Sequence, residues 1–126
     1  MRIKNIQFFI SIFFVIICLS CRSDYELSME RGIHLYQMGD YDTAIAEFIQ
    51  LISILSQDTE VIENRKLLSE AHKKLALSYA RKGKKSSANK DSWYEKAKNE
   101  INKSISIFPD NKKMDIFDML NENIMD

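Results

Sequence analysis

The chain has 126 residues, and its 18 basic and 18 acidic side chains give a formal net charge of zero. It contains only three glycines and one proline, so little in its composition interrupts a helix. A chain of this length has room for one small domain and not for several.

The N-terminal segment has the three parts of a secretory signal. Residues 1–5 carry two positive charges and no acid, and residues 6–19 are almost entirely Ile, Leu, Phe and Val. A basic start, a short apolar core and then a small residue are typical of export signals. The apolar run is about fourteen residues long, whereas a membrane-spanning helix needs about twenty. This pattern favours export. Three interpretations of the segment are open: a lipoprotein signal that is cleaved before an acylated cysteine, an ordinary cleaved signal, and an uncleaved anchor.

Both cysteines lie at the end of this segment, three residues apart. A redox Cys-x-x-Cys motif needs an activating environment at a helix N-terminus, whereas Cys18 lies inside the apolar run. Leu19-Ser20-Cys21 resembles a bacterial lipobox of the relaxed kind found in spirochaetes. The resemblance implies a lipoprotein signal peptide over residues 1–20 and a palmitate-bearing acylated residue at Cys21. Residues 21–24 would then form a short tether, with the lipid as the membrane anchor.

Residues 25–126 predict an all-α domain, because no segment alternates apolar and polar residues over a convincing strand length. Its charges are segregated. Residues 23–64 carry one basic and nine acidic side chains. Residues 65–98 carry eleven basic and three acidic side chains, and residues 99–126 carry three basic and six acidic ones. Either neighbouring helices attract each other, or the basic region is a face for an acidic partner or anionic head groups. No recognition-helix pattern or aromatic–basic platform for nucleic acid is present in the sequence.

Residues 25–58 predict a helical hairpin. Gly39-Asp40 is a stop signal, and the second helix is expected to begin near Tyr41-Asp42. Ala44 is small where two helices approach closely, and Phe48 fills the space one turn later. The apolar residues of this second helix recur at spacings of three and four; they are Ala44, Ile45, Phe48, Ile49, Leu51, Ile52 and Leu55.

Residues 69–110 predict a second helical pair. We expect its first helix to extend backwards to a cap at Asp58 and to stop at Gly83. A polar insertion over residues 83–92 then precedes the second helix. The backward extension continues an apolar stripe that comprises Val61, Ile62, Leu67 and Leu68.

The C-terminal part predicts one more helix after the second pair. The last helix of that pair starts near Trp93 and ends at Pro109, and residues 111–125 place apolar side chains at helical spacing. This segment is expected to be a capping helix over the second pair. The aromatic residues expected in the core are Phe48, Tyr79, Trp93, Phe108 and Phe117.

The first hairpin resembles a tetratricopeptide repeat, a helix-turn-helix unit of about 34 residues. The residues that carry the match are Gly32, Leu35, Tyr36, Gly39-Asp40-Tyr41-Asp42, Ala44-Ile45, Phe48 and Ile52. Residues 69–110 are similar to a second, degenerate copy. Together, residues 25–109 resemble the opening repeats of BamD-type outer-membrane assembly lipoproteins, which have more repeats than the two found here.

This resemblance implies a concave groove lined by the first helix of each hairpin. The residues expected on that face combine an apolar patch with basic and amide neighbours, which suits an extended or helical peptide. The alternative is that they pack against the third helix or the C-terminal cap. They are Met29, Ile33, Tyr36, Gln37, Lys73, Leu77 and Arg81.

The sequence contains no catalytic or metal-binding pattern. His34 and His72 each lie alone on a predicted helix without a second ligand at metal spacing, so both are expected to be packing or surface residues. Phosphate loops, nucleophile elbows and Ser/His/Asp arrangements are missing. The prediction is a protein that is not an enzyme, with no cofactor, no metal and no small-molecule substrate.

The leading hypothesis is a lipid-anchored interaction adaptor in the outer membrane, facing the periplasm. The resemblance to BamD-type proteins implies an accessory role in outer-membrane β-barrel assembly, with the barrel-inserting subunit as partner and no nucleic acid. One alternative is a surface-exposed lipoprotein that binds extracellular or host ligands. Another is an accessory subunit of a transporter or a cell-wall enzyme.

Overall fold

The computed structural model describes residues 2–7, 23–86 and 88–109. These residues form helices and short connections without a strand, which confirms the all-α prediction. Residues 2–7 are helical, and the domain contains α1 (Asp24–Gln37), α2 (Tyr41–Leu55), α3 (Ile62–Lys85) and α4 (Lys90–Ile107). None of the described helices is both long and apolar enough to cross a membrane. Cys21, most of the predicted signal peptide and the predicted cap over residues 111–125 lie outside the described residues.

The turn between α1 and α2 follows the sequence signal. Gly39 has a φ of 81°, in the left-handed region that favours glycine. Asp40 caps α2, because its carboxylate accepts hydrogen bonds from the Thr43 amide at 3.3 Å and from the Thr43 hydroxyl at 2.8 Å. At the start of α1, the Ser23 hydroxyl accepts a hydrogen bond from the Glu26 amide at 3.3 Å. Both helices therefore begin at locally encoded caps.

The start of α3 differs from the prediction. The helix does extend back beyond residue 69, but it begins at Ile62 after Val61, and no side chain caps it. Asp58 instead accepts a hydrogen bond from the Asn64 side-chain amide, with the Nδ2 and Oδ2 atoms 3.2 Å apart. The prediction that Asp58 caps the helix is therefore wrong. Val61 and Ile62 are 45% and 46% exposed, so they do not continue a buried stripe.

The end of α3 also differs. The helix continues through Gly83 to Lys85, and α4 already begins at Lys90. Gly83 is buried, and a Cβ atom placed on it would lie 2.9 Å from the Cβ of Trp93. The prediction that Gly83 stops the helix is wrong because this glycine serves a close helix–helix approach, not a turn. The connection spans residues 86–89 and is shorter than the predicted insertion over residues 83–92.

The four helices pack as antiparallel neighbours. Asp42 at the start of α2 pairs with Lys82 near the end of α3, and Ser69 near the start of α3 bonds to Ser104 near the end of α4. α3 therefore packs along both α2 and α4, whereas α1 touches α3 only locally. This arrangement leaves a face between α1 and α3 that is open to solvent at one end.

Two apolar clusters hold the helices together. The larger lies between α1, α2 and the first half of α3, and the smaller fills the interface of α3 and α4 with small side chains. Phe48 is fully buried, as predicted, whereas Tyr79, Trp93 and Phe108 are half-buried; Phe117 lies outside the described residues. The larger cluster comprises Met29, Ala44, Phe48, Leu51, Leu55, Leu68, Ala71 and Leu75, and the smaller Ala76, Ala80, Ala97 and Ile101.

Candidate functional site

The predicted groove residues divide into buried and accessible ones. Met29 and Leu77 are only 5% and 6% exposed, and Met29 packs within the larger apolar cluster. The expectation that these two belong to an accessible apolar patch is therefore wrong, since both are used for internal packing. The remaining five are half-buried or exposed and are able to meet a partner; they are Ile33, Tyr36, Gln37, Lys73 and Arg81.

A hydrogen bond brings two of the predicted residues together. The Arg81 Nε donates to the Tyr36 hydroxyl at 3.3 Å, although the two residues are 45 positions apart. The Tyr36 ring also meets the Tyr41 ring, with centroids 5.5 Å apart and planes tilted by 58°. The hydrogen bond with Tyr36 raises the pKa of Arg81, against the opposing effect of burial. The result is a fixed cation held where α1 touches α3.

The other end of the same face is an open groove of about 600 Å³ between the start of α1, the first half of α3 and Phe108. Leu67 and Phe108 supply apolar surface, and carboxylates outnumber the single ammonium group in the lining. Pockets of this size that combine apolar walls with a few polar groups are typical of binding sites. The lining residues are Ser23, Glu26, Glu63, Asn64, Lys66, Leu67, Glu70 and Phe108.

The groove and the predicted residues belong to one continuous surface. Along α3, Glu70 lies three residues before Lys73, and Leu67 three residues before Glu70, which places all three on one helix face. On α1, Glu26 precedes Ile33 by seven residues, or two turns. The sequence did not predict the acidic groove, because the predicted face started at Met29 on the first helix and at Lys73 on the third, after the residues that line the groove. We call this surface the α1–α3 face; it comprises Glu26, Ile33, Tyr36, Gln37, Leu67, Glu70, Lys73 and Arg81.

A buried polar contact between His72 and Glu100 connects α3 and α4. The His72 Nδ1 lies 2.5 Å from the Glu100 Oε2, and these side chains are only 9% and 12% exposed. The Lys103 Nζ donates to the other carboxylate oxygen at 2.7 Å. Burial disfavours the ionised form of Glu100, but the hydrogen bonds from His72 and Lys103 outweigh burial and lower the pKa of this carboxyl. His72 is thus a packing residue, as expected, although the partner 28 positions away was not foreseen.

Two serines join the same interface. The Ser69 hydroxyl donates to the Ser104 carbonyl at 2.8 Å, and the Ser104 hydroxyl donates to the Ser69 carbonyl at 2.8 Å. Both serines are fully buried, and neither lines the groove of the α1–α3 face. A nucleophilic serine needs an accessible hydroxyl that donates to a base. These hydroxyls are buried and donate to backbone carbonyls. Ser69, His72 and Glu100 therefore stabilise the interface and do not form a triad.

Among the described residues, no group of three or more His, Cys, Asp and Glu side chains is placed to hold a metal ion. No family model matches the chain, and no curated protein or solved structure matches it.

Proposed function

We propose that this protein is a lipid-anchored, non-enzymatic interaction adaptor of a bacterial envelope, built on tetratricopeptide-like helical hairpins. The observation that carries the proposal is the close packing of α1 on α2. A Cβ atom on Gly32 would lie 2.5 Å from the Phe48 Cε1, and Ala44 is fully buried. Gly32, Ala44 and Phe48 are among the residues through which the sequence resembles the repeat. Their interlocking supports that resemblance in three dimensions.

The α1–α3 face has features suited to binding a protein ligand. Its Tyr36 ring and the apolar wall at Leu67 provide surface for side chains, while Arg81 provides positive charge at the other end. Lys73 lies between the two ends, 3.9 Å from Glu70 of the acidic groove. Helical and extended peptides bind grooves of this kind through a few apolar anchors and flanking polar contacts. The opposite charges of the two ends would fix the direction in which a peptide lies.

The position of Cys21 relates the face to a membrane. In the sequence, Cys21 precedes Ser23, the N-cap of α1, by two residues. α1 has 14 residues, and a rise of 1.5 Å per residue makes it about 20 Å long. An acyl chain on Cys21 would therefore hold the acidic groove near the bilayer and the Tyr36–Arg81 contact farther away.

In its sharper form, the proposal is an accessory role in outer-membrane β-barrel assembly, on the periplasmic side, with the barrel-inserting subunit as partner. Site-specific photo-cross-linking in cells tests it. A photoreactive residue replaces Gln37, which is exposed on the α1–α3 face, and the matched control replaces Gln50, which is exposed on α2. We expect the barrel-inserting subunit to be cross-linked from position 37 and not from position 50. Recovery of a different envelope protein, or of the same protein from both positions, would reject this form.

The anchor is tested separately with Cys21→Ala. Loss of the thiol prevents acylation and the cleavage that depends on it, so the variant is expected to keep the size of the unprocessed chain and to take up no labelled palmitate. Unchanged size and unchanged palmitate labelling would contradict lipidation at Cys21. Protease treatment of intact cells distinguishes the two orientations, because rapid cleavage would support the surface-exposed alternative instead of the periplasmic adaptor.

A further inference from the structure

A second polar surface lies at the end of the bundle opposite Ser23. The ammonium groups of Lys82 and Lys96 lie 4.5 and 4.4 Å from the centroid of the Trp93 ring. Trp93 stacks on Tyr79, with ring centroids 5.9 Å apart and planes inclined by 30°. Cations near aromatic faces are attracted by the negative charge of the ring. Trp93, the only tryptophan of the chain, thus lies between two lysines.

The turn between α1 and α2 extends this surface. The Lys85 Nζ lies 5.3 Å from the centroid of the Tyr41 ring. On α4, the Lys90 Nζ lies 5.5 Å from the Tyr94 centroid. A cleft of about 370 Å³ separates the turn from the end of α3, and its lining includes Asp40 and Asp42 as well as Tyr41, Lys82 and Lys85. The cations without a carboxylate partner therefore lie around the cleft and along α4 more than inside it. We call this surface the lysine–aromatic end; it comprises Tyr41, Lys82, Lys85, Lys90, Trp93 and Lys96.

The sequence showed the excess of basic residues but not this surface, because its members come from three helices. Residues 81–98 carry seven basic and two acidic side chains, and packing α4 on α3 concentrates them at one end of the bundle. The fold thereby adds the cations of α4 to those already present in the last turn of α3.

Most of these cations lack a neutralising partner among the described residues. Lys82 pairs with Asp42, whereas Lys85, Lys90 and Lys96 have aromatic rings as neighbours and no described carboxylate within salt-bridge distance. The rings restrict these side chains, so binding an anion would cost less conformational entropy than it would with free lysines. The start of α4 adds positive potential, because no side chain caps it.

The shape of this end favours a polypeptide over a lipid bilayer. The aromatic rings are half-buried beneath the ammonium groups and do not project as an interfacial belt would. Beside the cleft, Met38 is 68% exposed, and one apolar side chain gives little membrane affinity compared with the several that interfacial helices insert. A single exposed apolar residue next to fixed cations matches a ligand that combines carboxylates with an apolar side chain.

We propose that the lysine–aromatic end binds an acidic segment of a partner polypeptide, in which carboxylates flank an apolar side chain that contacts Met38. The inference rests on the proposed adaptor role and adds the chemistry of the partner at a surface that adjoins one end of the α1–α3 face, where the Tyr36 and Tyr41 rings meet. Carboxylates would accept hydrogen bonds from Lys85, Lys90 and Lys96. Such contacts to charged groups are short and are stronger than hydrogen bonds between neutral groups.

The test uses the full-length protein, purified in a non-ionic detergent, and a synthetic Glu-rich peptide of about twelve residues that contains two leucines, a length suited to groove or surface docking. Titration calorimetry measures affinity, and the emission of Trp93 reports whether the peptide contacts this end. The same peptide with Gln replacing every Glu is the charge control. We expect the acidic peptide to bind and to shift the Trp93 emission, and the Gln peptide to do neither.

Two double variants of equal charge change locate the site. Lys85→Glu with Lys96→Glu reverses two cations of the lysine–aromatic end, and Arg31→Glu with Arg65→Glu reverses two exposed cations on α1 and in the first half of α3 that belong to neither surface. We expect the first pair to weaken binding about tenfold or more and the second less than about twofold, because exposed charges act mainly within a Debye length of about 10 Å. Circular dichroism verifies that both variants remain helical.

Three outcomes would overturn the inference. They are failure of the wild-type protein to bind the acidic peptide, equal loss of binding in both double variants, and a Trp93 shift with phosphatidylglycerol-containing vesicles but not with the peptide. Pure phosphatidylcholine vesicles are the control for the last arm. Cross-linking from Gln37 and palmitate labelling of Cys21→Ala do not depend on these measurements, so failure here is distinguishable from failure of the proposed function.

Discussion

The Nδ1 atom of His72 lies 2.5 Å from the Oε2 atom of Glu100 across the buried interface of α3 and α4. Lys103 donates a hydrogen bond to the other carboxylate oxygen, so both oxygens of Glu100 have a donor. A buried charge is tolerated when its polar atoms are satisfied in this way, and removing one donor leaves an uncompensated group. The stability of the second helical pair therefore depends on a contact between two side chains that are distant in sequence.

His72→Ala is expected to lower the free energy of unfolding by about 2–4 kcal/mol, because it leaves Glu100 buried with one donor removed. Urea denaturation followed by circular dichroism measures the change. The matched control is His34→Ala, an exposed histidine on α1, which is expected to change stability by less than about 0.5 kcal/mol. Similar effects of both substitutions would show that the contact contributes nothing specific.

The lowered pKa of Glu100 predicts a pH dependence of stability. Burial opposes ionisation, but His72 and Lys103 hold the folded-state pKa of this carboxyl below its ordinary value of 4.5. A carboxyl with a depressed folded-state pKa contributes stability above its unfolded-state pKa and loses it as the pH falls through the folded-state value. The stability difference between wild type and Glu100→Gln should shrink as the pH falls below 4.5. A difference that grows as the pH falls below 4.5 would contradict the assignment.

Gly32→Ala tests the close contact between α1 and α2. The added Cβ would lie 2.5 Å from the Phe48 Cε1, so the ring must move within a close-packed core. Overpacking of this kind lowers the free energy of unfolding by about 1–3 kcal/mol, and the better helix propensity of alanine offsets about 1 kcal/mol of this at most. Combination with Phe48→Leu removes the clash. The double variant should therefore be more stable than the sum of the two single changes predicts.

Leu77→Ala and Tyr36→Phe separate packing from binding on the α1–α3 side. Leu77 is 6% exposed, and its truncation is expected to destabilise the fold by about 2–5 kcal/mol. Tyr36→Phe removes only the hydroxyl that Arg81 contacts, which should cost about 0.5–1.5 kcal/mol. If the face binds the partner, Tyr36→Phe should reduce co-purification while the helical content measured by circular dichroism persists. Loss of helical content in Tyr36→Phe would assign that side chain to the core instead.

Local signals in the sequence predicted the first hairpin well. Gly39 supplies a left-handed residue, and the Asp40 carboxylate bonds to Thr43 only three positions away. Such turns and caps depend on neighbouring residues, so they are visible without knowledge of the rest of the chain. The burial of Ala44 and Phe48 likewise follows from helical periodicity.

The same reasoning failed at Gly83 because a glycine has two uses. It can end a helix, or it can let two helices approach closely within one. Trp93 lies against Gly83, but this contact exists only after α4 has folded back on α3. Met29 and Leu77 show a related limit, since helical spacing places them on a face without revealing how deeply a neighbouring helix covers it.

The sequence by itself determined the helical class, the first turn and its caps, because these depend on propensity, periodicity and contacts within a few residues. The tertiary structure decided the pairing of His72 with Glu100, the reciprocal serine bonds, the acidic groove and the lysine–aromatic end. Each of these joins residues from different helices, at separations that carry no fixed spacing. Helix formation is local, whereas the partner of a buried or charged side chain is set by which helices pack together and in which register.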